Sequence, residues 1–78
     1  MTTIRADLAA IIRKVDGDNT LSAHDLGMEI AALIVPCFSD LYGEDVIRFV
    51  ERVNPAKRLG AHGLAGEIVD HFDLENEF

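Results

Sequence analysis

The sequence predicts an all-α fold, a compact bundle of four to five short helices, and three observations lead to this prediction. Its 78 residues suit one small domain, so we expect residues 1–78 to form a single helical unit. No useful length of chain alternates apolar and polar residues as a half-buried strand would, whereas apolar residues recur at helical spacing almost throughout. Apolar residues make up 49% of the chain, which is enough for a shared core.

The first predicted helix covers residues 3–15. One stripe along it is apolar, at Ile4, Leu8, Ile11, Ile12 and Val15. Thr3 can cap its start, Arg13 and Lys14 suit the negative end of a helix, and Gly17 can end it.

The second predicted helix covers residues 22–42 and is kinked or broken near Pro36. Apolar residues keep helical phase across the proline, at Leu26, Ile30, Leu33, Ile34, Cys37, Phe38 and Leu41. Proline cannot donate to the carbonyl of Ala32 and clashes with it, so the helix must kink or restart before Gly43 ends it. Three more apolar residues widen this face: Met28, Ala32 and Val35. This breadth predicts a central helix buried on more than one side.

Three further segments complete the prediction. A helix over 44–53 has acidic residues in its first turn, and Pro55 can begin a short helix over 55–59. The last helix covers 62–72, and we expect the acidic tail 73–78 to fray. The predicted core consists of Ile12, Leu26, Ile30, Leu33, Ile34, Phe49, Val50, Ile68 and Phe72.

The stretch "KVDGDNTLSAHDL", residues 14–26, resembles in part the calcium loop of an EF-hand. With Leu21 at the eighth loop position, Asp16 and Asp18 take positions three and five, and an acid stands at position twelve. Lys14, however, stands where the loop requires its first anion, and the chain offers no second loop. We therefore expect no calcium binding.

The same stretch has the pattern of a turn followed by a helix start. Ser22 is a good N-cap, and Asp25 at the third helical position completes the S-x-x-D form of a capping box. Leu21 and Leu26 stand where a hydrophobic staple would form. The sequence therefore predicts that a helix begins after Ser22.

The candidate partner-binding residues are charged. The net charge is −7, which disfavours contact with a phosphate backbone unless the bases are segregated. Arg48 and Arg52 lie four residues apart on one helical face, and an acidic face near the C-terminus could imitate a phosphate backbone. The predicted contacts are Arg48, Arg52, Lys57, Arg58, Glu67, Asp70 and Asp73, against the simpler interpretation of a solvated surface.

A nucleic-acid site is the main alternative. The stretch "LGAHGLAGEI" resembles the G-x-x-G loop of KH domains and, distantly, a helix-hairpin-helix, and it follows Lys57 and Arg58 directly. A KH fold also needs a β-sheet, which this sequence does not predict. The alternative would use Lys57, Arg58 and the glycine-rich stretch Gly60–Gly66.

Catalytic, cofactor and metal sites are not expected. His71 stands four residues after Glu67, but His24 and His62 lie on other segments, and we find no phosphate loop, dinucleotide fingerprint or nucleophile with a histidine at a telling spacing. Cys37 is the only cysteine, which predicts a buried small hydrophobe in a reducing compartment. The N-terminus lacks a secretory pattern and the longest apolar run is too short for a bilayer, so we expect a cytoplasmic protein without membrane contact.

The sequence therefore predicts a small, acidic, non-enzymatic regulator that binds another protein through an apolar patch rimmed by charge. Its size and charge would suit a phage-encoded or bacterial inhibitor or adaptor. A structural homodimer is a further alternative, since the apolar content is more than a short monomer easily hides.

Overall fold

The structure is a computed structural model that describes residues 4–74. Within this range the chain forms four α-helices and a short 3₁₀ segment, Val35–Cys37, and it forms no strand. The helices are α1 (Ile4–Asp16), α2 (Ala23–Ile34), α3 (Gly43–Val53) and α4 (Ala61–Phe72). The predicted all-helical bundle is therefore confirmed.

The helices pack as two pairs around one core. α2 makes its most extensive contacts with α3, and α1 makes its own with α4, so the first and last helices are neighbours. The largest side chains that are fully buried come from all four helices and from the end of the described chain: Leu8, Leu26, Ile30, Val46, Val50, Leu64, Ile68, Val69 and Leu74. This shared core explains why the apolar stripes of the sequence run along every helix.

The predicted path of the second helix is not confirmed. α2 ends at Ile34, and Pro36 lies in the 3₁₀ segment, after which Phe38 is extended with φ −134° and ψ 121°. The missing N–H and the ring of the proline prevent the helix from continuing. A kink within one helix to residue 42 is therefore absent from the described chain, and Gly43 begins α3 instead of ending α2.

Three residues that were predicted to be buried are exposed or only partly buried in the structure. Leu33, one residue before the end of α2, is 46% exposed. Cys37 is exposed as well, since the 3₁₀ segment carries it to the surface, so its prediction as a buried hydrophobe is wrong. Phe72 is only partly buried, at the end of α4. Phe38 and Leu41 stay buried although the segment around them is not helical.

The predicted short helix over 55–59 is not formed. Lys57 has a left-handed backbone with φ 58°, and its N–H donates to the carbonyl of Asn54 across a turn at 3.2 Å. The side-chain Oδ1 of Asn54 then accepts from the N–H of Leu59 at 2.9 Å. These contacts make the segment a compact loop that ends at Gly60, the N-cap of α4.

The predicted cap at Ser22 and the predicted frayed tail, 73–78, have different outcomes. The N-cap at Ser22 is confirmed, because its Oγ accepts from the N–H of Asp25 at 3.1 Å. At the other end, Asp73 is the left-handed C-cap of α4 and Leu74 is buried against the core. The rest of the acidic tail, 75–78, lies outside the described residues, and its fraying stays a prediction.

Candidate docking groove

The structure divides the predicted basic cluster between two places. Arg48 and Arg52 lie on the exposed side of α3 and border a shallow depression of about 310 Å³. Lys57 and Arg58 lie in the loop between α3 and α4 and border a different cavity of about 470 Å³. The four bases therefore do not form one surface.

The depression beside Arg48 and Arg52 is built on stacked rings. The imidazole of His71 lies 4.1 Å from the ring of Phe49 at an interplanar angle of 15°, and the Arg52 guanidinium lies 5.4 Å from the same ring. Arg48 is paired with Glu44, one turn earlier on α3. These contacts cover the Phe49 ring and anchor α4 to α3, so they account for the arrangement without a ligand.

The three acidic residues that were predicted as partner contacts on α4 and at its end have three different environments in the structure. Asp70 forms an ion pair with Arg5 of α1. Asp73 caps the end of α4, and Glu67 is exposed on its surface. The sequence had no means to predict the pairing of Asp70, because Arg5 lies 65 residues away.

The turn that resembles a calcium loop is closed by an internal ion pair. The carboxylate of Asp16 accepts from the N–H of Leu21 at 2.9 Å and from the Nζ of Lys57 at 2.6 Å. Lys57 also donates to the carbonyl of Leu21. Only 2% of the Asp16 side chain and 13% of the Lys57 side chain are exposed. We call this set of contacts among Asp16, Leu21 and Lys57 the loop clasp.

The loop clasp fixes the ionisation of Asp16. Burial by itself would raise the pKa of this carboxyl, but the hydrogen bond from Leu21 and the positive charge of Lys57 outweigh burial and lower the pKa. Asp16 is thus a carboxylate whose oxygens are already occupied. Within residues 4–74, no group of three or more His, Cys, Asp or Glu side chains is arranged to hold a metal ion.

One signal in the sequence could have pointed to the loop clasp. Asp16 is the last residue of α1, where the helix dipole disfavours a negative charge. A carboxylate at such a position requires a cation or free N–H groups nearby. The sequence could not show that this cation is Lys57, because 41 residues separate the two.

The most apolar concave surface lies between α2 and α3. It is an open groove of about 380 Å³, and no polar side chain lines it in the described structure. The lining residues are Met28, Ala31, Ala32, Val35, Pro36, Gly43 and Ile47. We call this surface the docking groove.

Small residues create the floor of the docking groove. A Cβ atom added to Gly27 would lie 3.0 Å from the Cα of Ile47, so α2 and α3 approach each other very closely there. Gly43 and Ala31 also line the groove, and a Cβ atom added to Gly43 would lie an ordinary 3.7 Å from the Cβ of Ala31. Met28, which is 50% exposed, and Ile47 then stand above the floor as walls.

The sequence predicted the apolar character of this surface but placed it wrongly. Met28, Ala32 and Val35 were expected to bury a second side of a central helix. The structure leaves Met28 and Ala32 exposed and Val35 partly buried, because no other helix within residues 4–74 covers that side of α2. Tyr42, directly before Gly43 of the groove, is 69% exposed.

The rim of the docking groove is acidic. At about 100° per residue, Asp25 falls within about 60° of both Met28 and Ala32 on α2. Glu29 falls farther from the groove-facing line, about 60° from Ala32 and about 100° from Met28. Glu44 and Glu51 fall beside Ile47 on α3 in the same way. All four carboxylates are exposed.

Two of these carboxylates have partners. Arg48 compensates Glu44, and the Nδ1 atom of His24 lies 2.8 Å from Glu51, which links α2 to α3 near one end of the groove. Neither contact covers the apolar floor. The rim therefore keeps a net negative charge around an uncharged centre.

The described structure is thus an all-helical bundle with an open apolar groove. Comparison of the chain with protein-family models, with curated proteins and with solved structures found no match. None of the helices within residues 4–74 is long and apolar enough to cross a membrane.

Proposed function

We propose that this protein is a non-enzymatic, protein-binding regulator that docks a partner in the groove between α2 and α3. The observation that carries this proposal is the apolar lining of the groove. Met28 and Ala32 of this lining are exposed, and Val35 and Ile47 are only partly buried, whereas the core side chains of the four helices pack together. A continuous apolar surface with a charged rim is typical of protein interaction sites.

The groove suits apolar side chains of a protein better than a small molecule. Small-molecule sites combine an enclosed apolar pocket with a few polar groups that fix orientation. No polar side chain lines this groove, and it is open to solvent. The exposed Tyr42 and Met28 add residue types that are enriched at protein interfaces.

A role as an inhibitor or adaptor of the phage or bacterial kind, acting in the cytoplasm, belongs to the same proposal. Its support is the short chain, the net charge of −7 and the single cysteine. The contacts predicted from sequence at Arg48, Arg52 and Glu67 lie outside the groove and would act as secondary contacts.

The proposal is tested by affinity capture from the source lysate with three versions of the protein. Ala32→Arg places a long charged side chain in the groove, and Ala10→Arg makes the same change at an exposed position of α1. We expect wild type and Ala10→Arg to retain the same partner and Ala32→Arg to lose it, while all three unfold at similar temperatures. Equal capture by Ala32→Arg would contradict docking in the groove.

The nucleic-acid alternative is weakened by the loop clasp. Of the two bases it requires, Lys57 is mostly buried and already bound to Asp16 and Leu21. Arg58 and Arg13 border the neighbouring cavity of about 470 Å³ and keep the alternative testable. Titration with DNA or RNA at several salt concentrations would support it if binding weakened steeply with salt and Arg58→Ala reduced the slope.

A further inference from the structure

We infer that the occupant of the docking groove is an amphipathic helix of another protein, with an apolar stripe flanked by lysine or arginine. This inference rests on the proposed function, because it requires that the groove binds protein. The shape of the groove indicates a helix, and the charge of its rim indicates basic flanks.

The length of the groove matches two turns of a helix. The lining runs from Met28 on α2 to Pro36 in the 3₁₀ segment, which is about 13 Å at about 1.5 Å per residue in α2 and about 2 Å per residue in the 3₁₀ segment. A helix that lies along this line presents apolar side chains at i, i+4 and i+7 over about the same distance. The small floor residues Ala31 and Gly43 leave room for these side chains.

Other peptide-binding modes fit less well. Addition of a strand requires an exposed sheet edge, and residues 4–74 contain no strand. Proline-rich peptides dock in grooves lined by aromatic rings, whereas no aromatic residue lines this groove in the described structure. A helix that buries side chains into an aliphatic groove needs neither feature.

The acidic rim of the docking groove favours a partner with positive charges. Asp25 and Glu29 border the groove on α2, and neither forms an ion pair within the described residues. Lysine and arginine can lay their aliphatic stems on the apolar surface while their charged ends reach such carboxylates. The net charge of −7 would also attract a basic partner before contact.

The same charge disfavours the other occupants. A symmetric dimer through this groove would bring two copies of one acidic rim against each other. Nucleic acid and anionic membranes would be repelled by Asp25, Glu29 and Glu51 in the same way.

The test is a selection from a displayed library of 16-residue peptides. Apolar residues are fixed at positions i, i+4, i+7 and i+11, and every other position is drawn equally from Lys, Glu, Gln and Ala. The baits are wild type, Ala32→Arg and Ala10→Arg. We expect peptides enriched in lysine beside the apolar stripe that bind wild type and Ala10→Arg but not Ala32→Arg.

A pair of charge reversals sharpens the result. Glu29→Lys should weaken binding of the selected peptides about three- to tenfold and reduce its salt dependence, since it reverses one rim charge. Asp7→Lys also reverses one negative charge, at an exposed position of α1 outside the groove, and should leave the affinity nearly unchanged.

The outcomes separate the inference from the proposed function. Groove-dependent peptides that are neutral or rich in glutamate would overturn the basic helix but not docking in the groove. If no groove-dependent peptide appears, the inference fails, while groove-dependent capture from the lysate would still support the proposed function. A dimer in sedimentation experiments that Ala32→Arg abolishes would assign the groove to a second copy and also overturn the inference.

Discussion

The loop clasp and the docking groove differ in whether their side chains are paired or covered within the protein. In the loop clasp, the charges of Asp16 and Lys57 are buried, and each finds its partner inside the protein. In the docking groove, apolar side chains remain exposed and find no covering element within the described residues. The polar groups of the loop clasp are therefore paired, whereas the apolar side chains of the groove are left uncovered by the described residues.

This difference separates structural residues from candidate functional ones. Charged residues such as Asp16 and Lys57 attract attention in a sequence, but here they join the end of α1 and the turn after it to the loop before α4. The groove residues are chemically plain, yet covering the exposed half of Met28 with a partner would gain about 1 kcal/mol, because complete burial of such a side chain is worth about 1.5–3 kcal/mol. The groove therefore offers apolar surface that no described element covers.

The largest effect is expected when the loop clasp is broken. Lys57→Met leaves the Asp16 carboxylate buried without its cation, which should lower the free energy of unfolding by about 3 kcal/mol. Urea unfolding measures this change. The double variant Asp16→Asn/Lys57→Met should recover part of the loss, because no unpaired charge remains. If Lys57→Met unfolds at the wild-type urea concentration, the ion pair does not stabilise the fold.

The next largest effect is expected where α2 and α3 touch. Gly27→Ala places a methyl group against the Ile47 backbone, and we expect a net loss of about 1–2 kcal/mol, since the strain exceeds the gain in helix propensity. Gly63→Ala is the matched control, because its new methyl would lie an ordinary 3.7 Å from Leu59. It should stabilise the protein by up to about 1 kcal/mol. Equal effects of the two changes in urea unfolding would contradict the close contact.

Acid should weaken the loop clasp without changing the lining of the groove. The pKa of Asp16 is lower in the folded than in the unfolded protein, so its contribution is present above about pH 4 and is lost as the pH falls through the folded pKa. The effect should be smaller than that of Lys57→Met, because a protonated Asp16 leaves no buried negative charge. Urea unfolding of wild type and Asp16→Asn between about pH 5 and pH 2 tests this. A variant that loses as much stability as wild type would exclude Asp16 as a source of acid sensitivity.

A smaller effect is expected at the start of α2, beside the loop clasp. Ser22→Ala removes the acceptor of the Asp25 N–H and should cost about 1 kcal/mol. Calcium should not change the melting temperature of wild type or variant, because Lys57 occupies the Asp16 carboxylate. A calcium-dependent rise in melting temperature would restore the metal interpretation of this turn.

The smallest effect on stability is expected in the docking groove. Met28→Gln should change the free energy of unfolding by less than about 0.5 kcal/mol, because the side chain is half exposed, although it should weaken groove-dependent binding. Ile30→Val on the same helix removes one buried methyl group and should cost about 1 kcal/mol. A larger loss for Met28→Gln than for Ile30→Val would show that the groove wall belongs to the core.

Local patterns predicted much of the fold. The first, third and last helices begin and end within one or two residues of their predicted bounds, and the N-cap at Ser22 is confirmed. These features depend on residues that are close in the sequence. Where the outcome depended on distant contacts, prediction was less successful, as at Leu33, Cys37 and the loop over 55–59.

The candidate site could be predicted only in part. The sequence indicated an apolar surface rimmed by charge and named Met28, Ala32 and Val35 as apolar, but it assigned them to the interior. The named charged contacts, such as Arg48 and Lys57, belong to separate regions, and their proposed role in binding stays untested. A stripe of apolar residues has the same pattern whether a neighbouring helix covers it or not.

The sequence by itself determined three of the four helices to within one or two residues, the cap at Ser22 and the acidic charge, because these follow from periodicity, local hydrogen bonds and composition. Only the tertiary structure decided that Asp16 pairs with Lys57 and that one apolar side of α2 stays open. Both outcomes depend on where distant segments pack. Gly27 lets α3 approach one side of α2 closely, and no other described element covers the side that became the groove.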